Sequence, residues 1–480
     1  MKRMICILLT VLFLLCGCTE QAAPDKKIPA LPSLQGYDLY AGFARADITP
    51  EAPVPLAGYG DTAKRISRAV QDPLYVLALA LTDAEGETIL LMNWDGTRSY
   101  DATQAAAREN ISKATGVDVN KIYIGATHTH SAPEMSSQLD SARRYAEYVV
   151  ERATEVAVLA MQDRTPANMS VGSVEAEGLS FVRHYTYVDE QGQTQYFGDN
   201  FGTAVFDETT AHTSQPDTTM YMLHFTRQEG GDIALINWRA HPHLTGGPSI
   251  YNISSDWVGP FRDAIEVQTD TKVIYFNGAS GNINEKSRVI TENITTDHVQ
   301  YGTLLADFAI DLMENHLDPV QVDAITTSQT IYDAKVNHKQ DTMYIKAKEL
   351  HSMYTTTGAF NEEAALASGI RSIYHANAVI SNYNRGETMD VELNAIMLGD
   401  QVSLVTAPNE LFDTNAVWLE ENSPTEFTLT LGYTNGHYGY VPSAFAWEHT
   451  CYESDISYFE PGTAEAYQNC FLDMLKNMKG

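Results

Sequence analysis

Residues Ala126-Thr127-His128-Thr129-His130-Ser131-Ala132-Pro133 hold two imidazoles one residue apart. They follow Lys121-Ile122-Tyr123-Ile124-Gly125, an apolar run that predicts a buried strand. In extended backbone, side chains two apart share a face. His128 and His130 are therefore expected to project together from the strand end, with Pro133 ending the ladder. Two imidazoles in one pocket suit a metal, or a metal ligand with a proton-transfer partner. Two unrelated histidines on a polar edge are the alternative.

Four further places share the pattern. Asn237-Trp238-Arg239-Ala240-His241-Pro242-His243 ends an apolar run, and Phe276 to Glu285 is a small-residue loop containing Ser280 and Asn284. Glu410 follows Val402-Ser403-Leu404-Val405, and Tyr440 closes the stretch after Thr428-Leu429-Thr430-Leu431. Asp95 ends the run from Glu87, a place for a functional carboxylate or equally for a helix cap or turn residue. Each has a structural explanation on its own: a capped turn, a satisfied histidine, a tyrosine over a core edge. Their recurrence at the same step, strand then His, Glu, Tyr or Asn, predicts one site at several strand ends. Ser280 lacks the Gly-x-Ser-x-Gly spacing of a nucleophile elbow.

The elements that must position these residues alternate. Strands are expected at Tyr37 to Pro50, Asp72 to Leu81, Glu87 to Asp95, Asp232 to Trp238 and Lys272 to Phe276. Helices are expected at Tyr100 to Thr115 (stopped by Gly116), Gln138 to Asp163, Asp256 to Gln268 and Thr296 to Asn315. Alternation of this kind predicts an α/β fold, layered sheets flanked by helices, with the site at strand ends. Leu56-Ala57-Gly58-Tyr59-Gly60 reads as a glycine loop. Residues 185–218 read as a surface excursion. A helical stretch from Met343 to Tyr383 is placed to line a cleft mouth.

The chain opens with Met1-Lys2-Arg3, an apolar run from Met4 to Leu15, and Cys16-Gly17-Cys18. This is a basic segment and a core too short to span a membrane comfortably, ending like a bacterial lipobox. Residues 1–17 are thus expected to be a signal peptide, with lipid on Cys18 and 18–36 a proline-punctuated tether. A single folded domain is expected over 37–480. The expected address is the bacterial cell envelope, outside the cytoplasm, held to the membrane by that lipid. A formal net charge of −31 argues against nucleic acid as a partner. Cys451 and Cys470, in an exported chain, are expected to pair as a disulfide rather than remain free.

Thr-His-Thr-His-Ser-x-Pro, the later His-Pro after a tryptophan strand, Pro-x-Glu and Asn-x4-Tyr resemble the neutral/alkaline non-lysosomal ceramidase family, in the right order from about Gly42 to Glu453. Ala46-Asp47-Ile48-Thr49-Pro50 and Ala57-Gly58-Tyr59 also resemble that family's opening. The resemblance implies one Zn2+ held by His128, His241, Glu410 and Tyr440, with His130 facing the substrate carbonyl or shuttling a proton. It implies metal-activated water attacking an amide of a ceramide-like or other N-acyl lipid, with Asp95 and Asn284 orienting the water or the ligands. Two departures from the family are expected: Asn284 stands where the resemblance places a serine close to the zinc, and no C-terminal immunoglobulin-like domain is expected. The alternatives are an extracytoplasmic solute-binding lipoprotein, a non-catalytic relative, and a zinc esterase.

Overall fold

The computed structural model describes residues 36–60, 62–136, 139–198, 206–290, 295–449 and 451–480. Cys18, the signal segment and nearly all of the tether lie outside the described residues. Among those described, no helix is long and apolar enough to cross a membrane.

Two sheets form the centre. The larger orders its strands Lys272–Asn277, Ile233–Trp238, Thr219–Arg227, Thr165–Glu175, Leu39–Asp47, Tyr75–Asp83, Thr88–Trp94 and Ile122–Ala126, with Asp318–Val320 added alongside Thr165–Glu175. The smaller orders Ile325–Lys335, Thr388–Leu398, Val402–Thr406 and Phe427–Leu431. Strand Tyr75–Asp83 explains the layering. Its Val76, Ala78 and Ala80 pack under helices Asp101–Thr115 and Asp140–Gln162. Its Leu77, Leu79 and Leu81 meet Leu404 and Leu429 of the small sheet. A strand covered on both faces reads as an unbroken apolar run, and each fully buried leucine contributes roughly 1.5–3 kcal/mol. Helices Val258–Thr269 and His298–Asn315 cover the other half of the large sheet. Asp413–Asn422 and Thr463–Lys479 cover the small one. The order of layers is helices, sheet, sheet, helices, the α/β arrangement expected.

The large sheet curls until its two terminal strands approach one another. Gly125 marks the contact: a Cβ there would lie 2.9 Å from the Phe276 ring. Polar side chains stitch the approach, with Asn93 Nδ2 donating to the Tyr275 carbonyl at 2.7 Å. The loop after Phe427–Leu431 fills the remainder, since Gly432 N donates to Asn277 O at 3.0 Å and Asn435 N to Ile124 O at 2.9 Å. Sheet closure therefore brings the ends of strands from distant parts of the sequence to one place.

Three expectations are corrected. The stretch Met343 to Tyr383 is not one helix but Tyr344–Thr357, Glu362–Leu366 and Ile373–Tyr383, the last begun by a Ser372 side-chain cap on His375 N at 3.0 Å. Residues 185–218 are not only an excursion: His184–Val188, Thr194–Gly198 and Ala211–His212 form a three-stranded sheet, entered through two residues of the site. Cys451 and Cys470 are free thiols. They belong to separate core clusters, Cys451 with Phe412 and Tyr440, Cys470 against the one holding Phe471 and Met474, so folding does not face them to each other.

Candidate functional site

The expected strand-end residues converge. His128 follows Ile122–Ala126, His241 follows Ile233–Trp238, Asn284 follows Lys272–Asn277, and Glu410 follows Val402–Thr406. Tyr440, after Phe427–Leu431, pairs with Glu410 in a short parallel bridge. The His128–His130 pair meets by a route other than strand periodicity. The strand ends at Ala126, and His128 takes a left-handed φ of 70°, a costly conformation for a non-glycine residue that clusters at functional sites. Pro133 lies in an isolated bridge to Leu56, which brings the glycine loop over the pair. Gly58 is required there, because a Cβ would sit 2.6 Å from the His130 Cα.

Hydrogen bonds fix the tautomers. His128 Nδ1 lies 2.7 Å from the Thr97 carbonyl oxygen and His241 Nδ1 3.0 Å from that of Ile283. A carbonyl only accepts, so each Nδ1 carries a proton and each Nε2, the nitrogen that offers a lone pair in the neutral ring, is turned toward the cluster. Both Nε2 atoms lie 3.4 Å from Glu410 Oε2. Glu410 Oε2 is buried without any hydrogen-bond partner, while Oε1 accepts from His437 Nε2 at 3.0 Å. Burial would raise the Glu410 carboxyl, but the imidazoles of His128, His241 and His437 hold it well below the usual carboxylate range.

The two Nε2 atoms and the unpartnered Glu410 Oε2 turn on one point, where a cation between them would satisfy all three. Ligands at about 2.0–2.2 Å in a tetrahedron are separated by about 3.3–3.6 Å, so the two 3.4 Å edges fit a divalent ion. The ring nitrogens of His128, His130 and His241 all lie within 4.8 Å of one another. His130 Nε2 is 3.2 Å from His128 Nε2, and its Nδ1 has no partner. Burial first, then the neighbouring imidazoles, hold His130 well below the ordinary histidine range, so it is neutral at pH 7. Tyr433, at a left-handed φ of 56°, stacks on His128 with centroids 4.2 Å apart.

Sequence reasoning missed the cation beside this cluster. Arg183 Nη2 donates to Tyr440 OH at 3.1 Å and to the Gly281 carbonyl at 2.7 Å, and Nη1 approaches His241 Nε2 at 3.4 Å. Its Nε donates to Glu453 Oε1 at 2.6 Å, and Glu453 Oε2 takes His184 Nε2 at 2.9 Å. Arg-His inside the apolar run Phe181 to Tyr185 is the one local signal of it.

Asn284 sits beside the cluster, bridged by backbone to His241, with Oδ1 3.5 Å from Arg183 Nη1. Ser280 is fully buried and bonded to Tyr433 OH at 2.7 Å, away from the cleft. Asp95 is a correction. It accepts both Arg262 Nη atoms, at 3.0 and 2.6 Å, and Tyr75 N at 2.8 Å, so it joins a strand end to helix Val258–Thr269 and does not line the cleft.

A cleft of about 380 Å³ opens over the cluster. His128, His130, Glu410, His437 and Tyr440 form its floor, with Tyr59, Arg98 and Glu134 among its walls. Helix Ile373–Tyr383 contributes Tyr374, Asn377 and Ser381, as the cleft-mouth expectation held.

Fold and site together define a layered α/β protein with a buried imidazole–carboxylate donor set at its strand ends. Among solved structures the fold is shared with neutral ceramidase from Pseudomonas aeruginosa, at a TM-score of 0.68 and 16% identity, over 93% of this chain and 75% of that one. A ceramidase complexed with C2 matches at a TM-score of 0.67 and 16% identity, over 92% of this chain and 76% of that one. No protein-family model and no curated protein matches the sequence. At 16% identity, the likeness is one of fold.

Proposed function

We propose that this chain is a zinc-dependent hydrolase of N-acyl amides, a member in function as well as fold of the ceramidase-like enzymes. The observation carrying the proposal is the convergence of His128 Nε2, His241 Nε2 and the unpartnered Glu410 Oε2 below an open cleft. His128, His241, Glu410 and Tyr440 would hold the ion. When bound, it supplies Lewis acidity, polarising a carbonyl oxygen and making water a nucleophile near neutral pH.

The chain's own residues supply the rest. The Thr97 and Ile283 carbonyls orient the two imidazoles, as partners of metal-ligating histidines do. His130, neutral and with Nδ1 free, donates a hydrogen bond from its protonated nitrogen to the substrate carbonyl, or passes that proton to the departing amine. Arg183 holds Tyr440 in place and sets a fixed positive charge beside the oxygen that develops charge. With Asn284 at the family's serine position and Ser280 sealed in the interior, no hydroxyl nucleophile is assigned.

Elemental analysis of purified protein is expected to find about one zinc per chain. Hydrolysis of N-acyl amides of varied chain length should vanish on chelation and return with zinc. A protein that neither carries a transition metal nor takes up added zinc overturns the proposal. Matching esters tell whether an esterase describes it better.

We propose also that Cys18 carries lipid and holds the domain outside the cytoplasm, on the strength of the basic start, short apolar core and Gly17-Cys18. Fractionation of wild type and Cys18→Ser, with intact mass of the N-terminal peptide, tests this. A wild type that is unlipidated and cleaved elsewhere refutes it.

A further inference from the structure

We infer that the cleft recognises an anionic group on the substrate through Arg98, which narrows the substrate class to N-acyl compounds bearing a carboxylate near the amide, such as N-acyl amino acids. This rests on the amide-hydrolase proposal above.

The first support is what lines the cleft. Among the described residues, Ala57, Ala378 and Ile456 are its only aliphatic side chains, and the remaining lining is polar, aromatic or glycine. At about 380 Å³ it lies near the small end of the roughly 300–1,000 Å³ range of ligand pockets.

The second support is Arg98 itself. Its side chain is exposed to the cleft, and among the described residues no carboxylate lies within ion-pairing distance of its guanidinium. Most buried arginines are held instead by the protein itself: Arg108 by Glu392, Arg183 by Glu453, Arg239 by Glu420 and Arg262 by Asp95, while Arg65 is bonded to the Ile250 carbonyl and Arg164 to the Met161 carbonyl and the Thr82 hydroxyl. Arg98 shares the cleft lining with His128, His130, Glu410 and Tyr440, so an anion bound by its guanidinium lies in the same cleft as the donor set. The acids nearest it are occupied elsewhere. Glu134 accepts Ser136 N at 2.7 Å and Ser136 Oγ at 2.6 Å, and Glu410 faces the imidazoles. Burial by the cleft walls opposes the charge of Arg98, but Tyr100, Glu134, Tyr458 and Glu410 more than offset that, and it remains a cation. A planar guanidinium matches a carboxylate with two parallel hydrogen bonds. Elsewhere this acidic surface repels anions, so Arg98 is a local entry for one.

The test compares N-dodecanoylglycine with the neutral N-dodecanoylethanolamine on the zinc-loaded enzyme. Wild type should favour the carboxylate by roughly 10- to 100-fold in kcat/KM, the scale of a hydrogen-bonded charge. Arg98→Gln should bring the ratio near 1, and Arg98→Lys should leave it intermediate. Binding of N-dodecylglycine against N-dodecylethanolamine, which carry no amide, reads recognition without catalysis. Equal handling of each pair by wild type, or an unchanged ratio in Arg98→Gln, overturns the inference and leaves the amide-hydrolase proposal standing. Hydrolysis of no amide, with the binding preference intact and lost in Arg98→Gln, overturns the hydrolase proposal while anion recognition by Arg98 stands.

Discussion

Two groups of metal-type side chains lie among the described residues: His128 with His130 and His241, and His184 with Cys451 and Glu453. Both are largely buried and flank Arg183, yet they differ in what is left over. In the first, Glu410 Oε2 and His130 Nδ1 have no partner, and the Nε2 atoms of His128 and His241 each lie 3.4 Å from that oxygen. In the second, Glu453 spends one oxygen on Arg183 and the other on His184. Burial, and then the charge of Glu453, push the Cys451 thiol well above its usual range, so it stays protonated and is a poor ligand. A guanidinium already occupies the place of a cation. Residue types alone do not distinguish the groups; the account of donors and acceptors does. The incomplete group is suited to bind, and the complete one to hold Arg183 and Tyr440 in position.

The contrast is easiest to break at the ligands. His128→Ala and His241→Ala should each empty the site and lower turnover by more than about 100-fold, beyond the ~10–100-fold typical of residues that only orient ligands. His130→Ala should retain the metal and lose turnover. Elemental analysis beside steady-state kinetics separates these outcomes, and equal metal loss at His128 and His130 would reassign His130 as a ligand.

A smaller effect, on stability, is expected at the complete group. Glu453→Gln leaves the buried Arg183 charge uncompensated, which should cost about 3–5 kcal/mol in urea unfolding while the folded fraction keeps its zinc. Zinc loss without destabilisation would show that the groups are not distinct in this way. The pH dependence gives a finer measure. Burial opposes the Glu453 charge, but Arg183 and His184 hold its carboxyl below the ordinary value in the folded state. Its contribution is therefore full above the unfolded carboxyl's pKa, about 4.3, and is lost as pH falls below that toward the folded value. Urea midpoints between pH 7 and pH 3 should fall more gently in Glu453→Gln than in wild type.

Much of the site was legible because each ligand candidate ends an apolar run, a signal local to a few residues. Glu410 after Val402–Thr406 is the plainest case. The route by which His128 and His130 meet was not legible, because a left-handed φ at a histidine has no sequence mark. Asp95 was misread for a related reason: a strand-end carboxylate looks the same whether it faces a cleft or Arg262, and Arg262 is 167 residues away. Arg183 and Glu453, 270 residues apart, have no shared local pattern either. The cysteines failed as a pair because two thiols in one chain carry no information about which core each enters. Layering was easier, since Tyr75–Asp83 states in its own composition that both faces are covered.

The curl of the large sheet around Gly125 and Phe276 carries a consequence for assembly. Because the ends of the first and last strands in its spatial order meet only when the sheet closes, no short contiguous fragment of the chain contains the whole donor set. His128 and His241 belong to opposite ends of one ribbon, and Glu410 to another sheet altogether. If the proposed ion binds there, its affinity is a property of the closed chain, delayed until contacts of long sequence separation have formed, and its binding would draw the folding equilibrium toward closure.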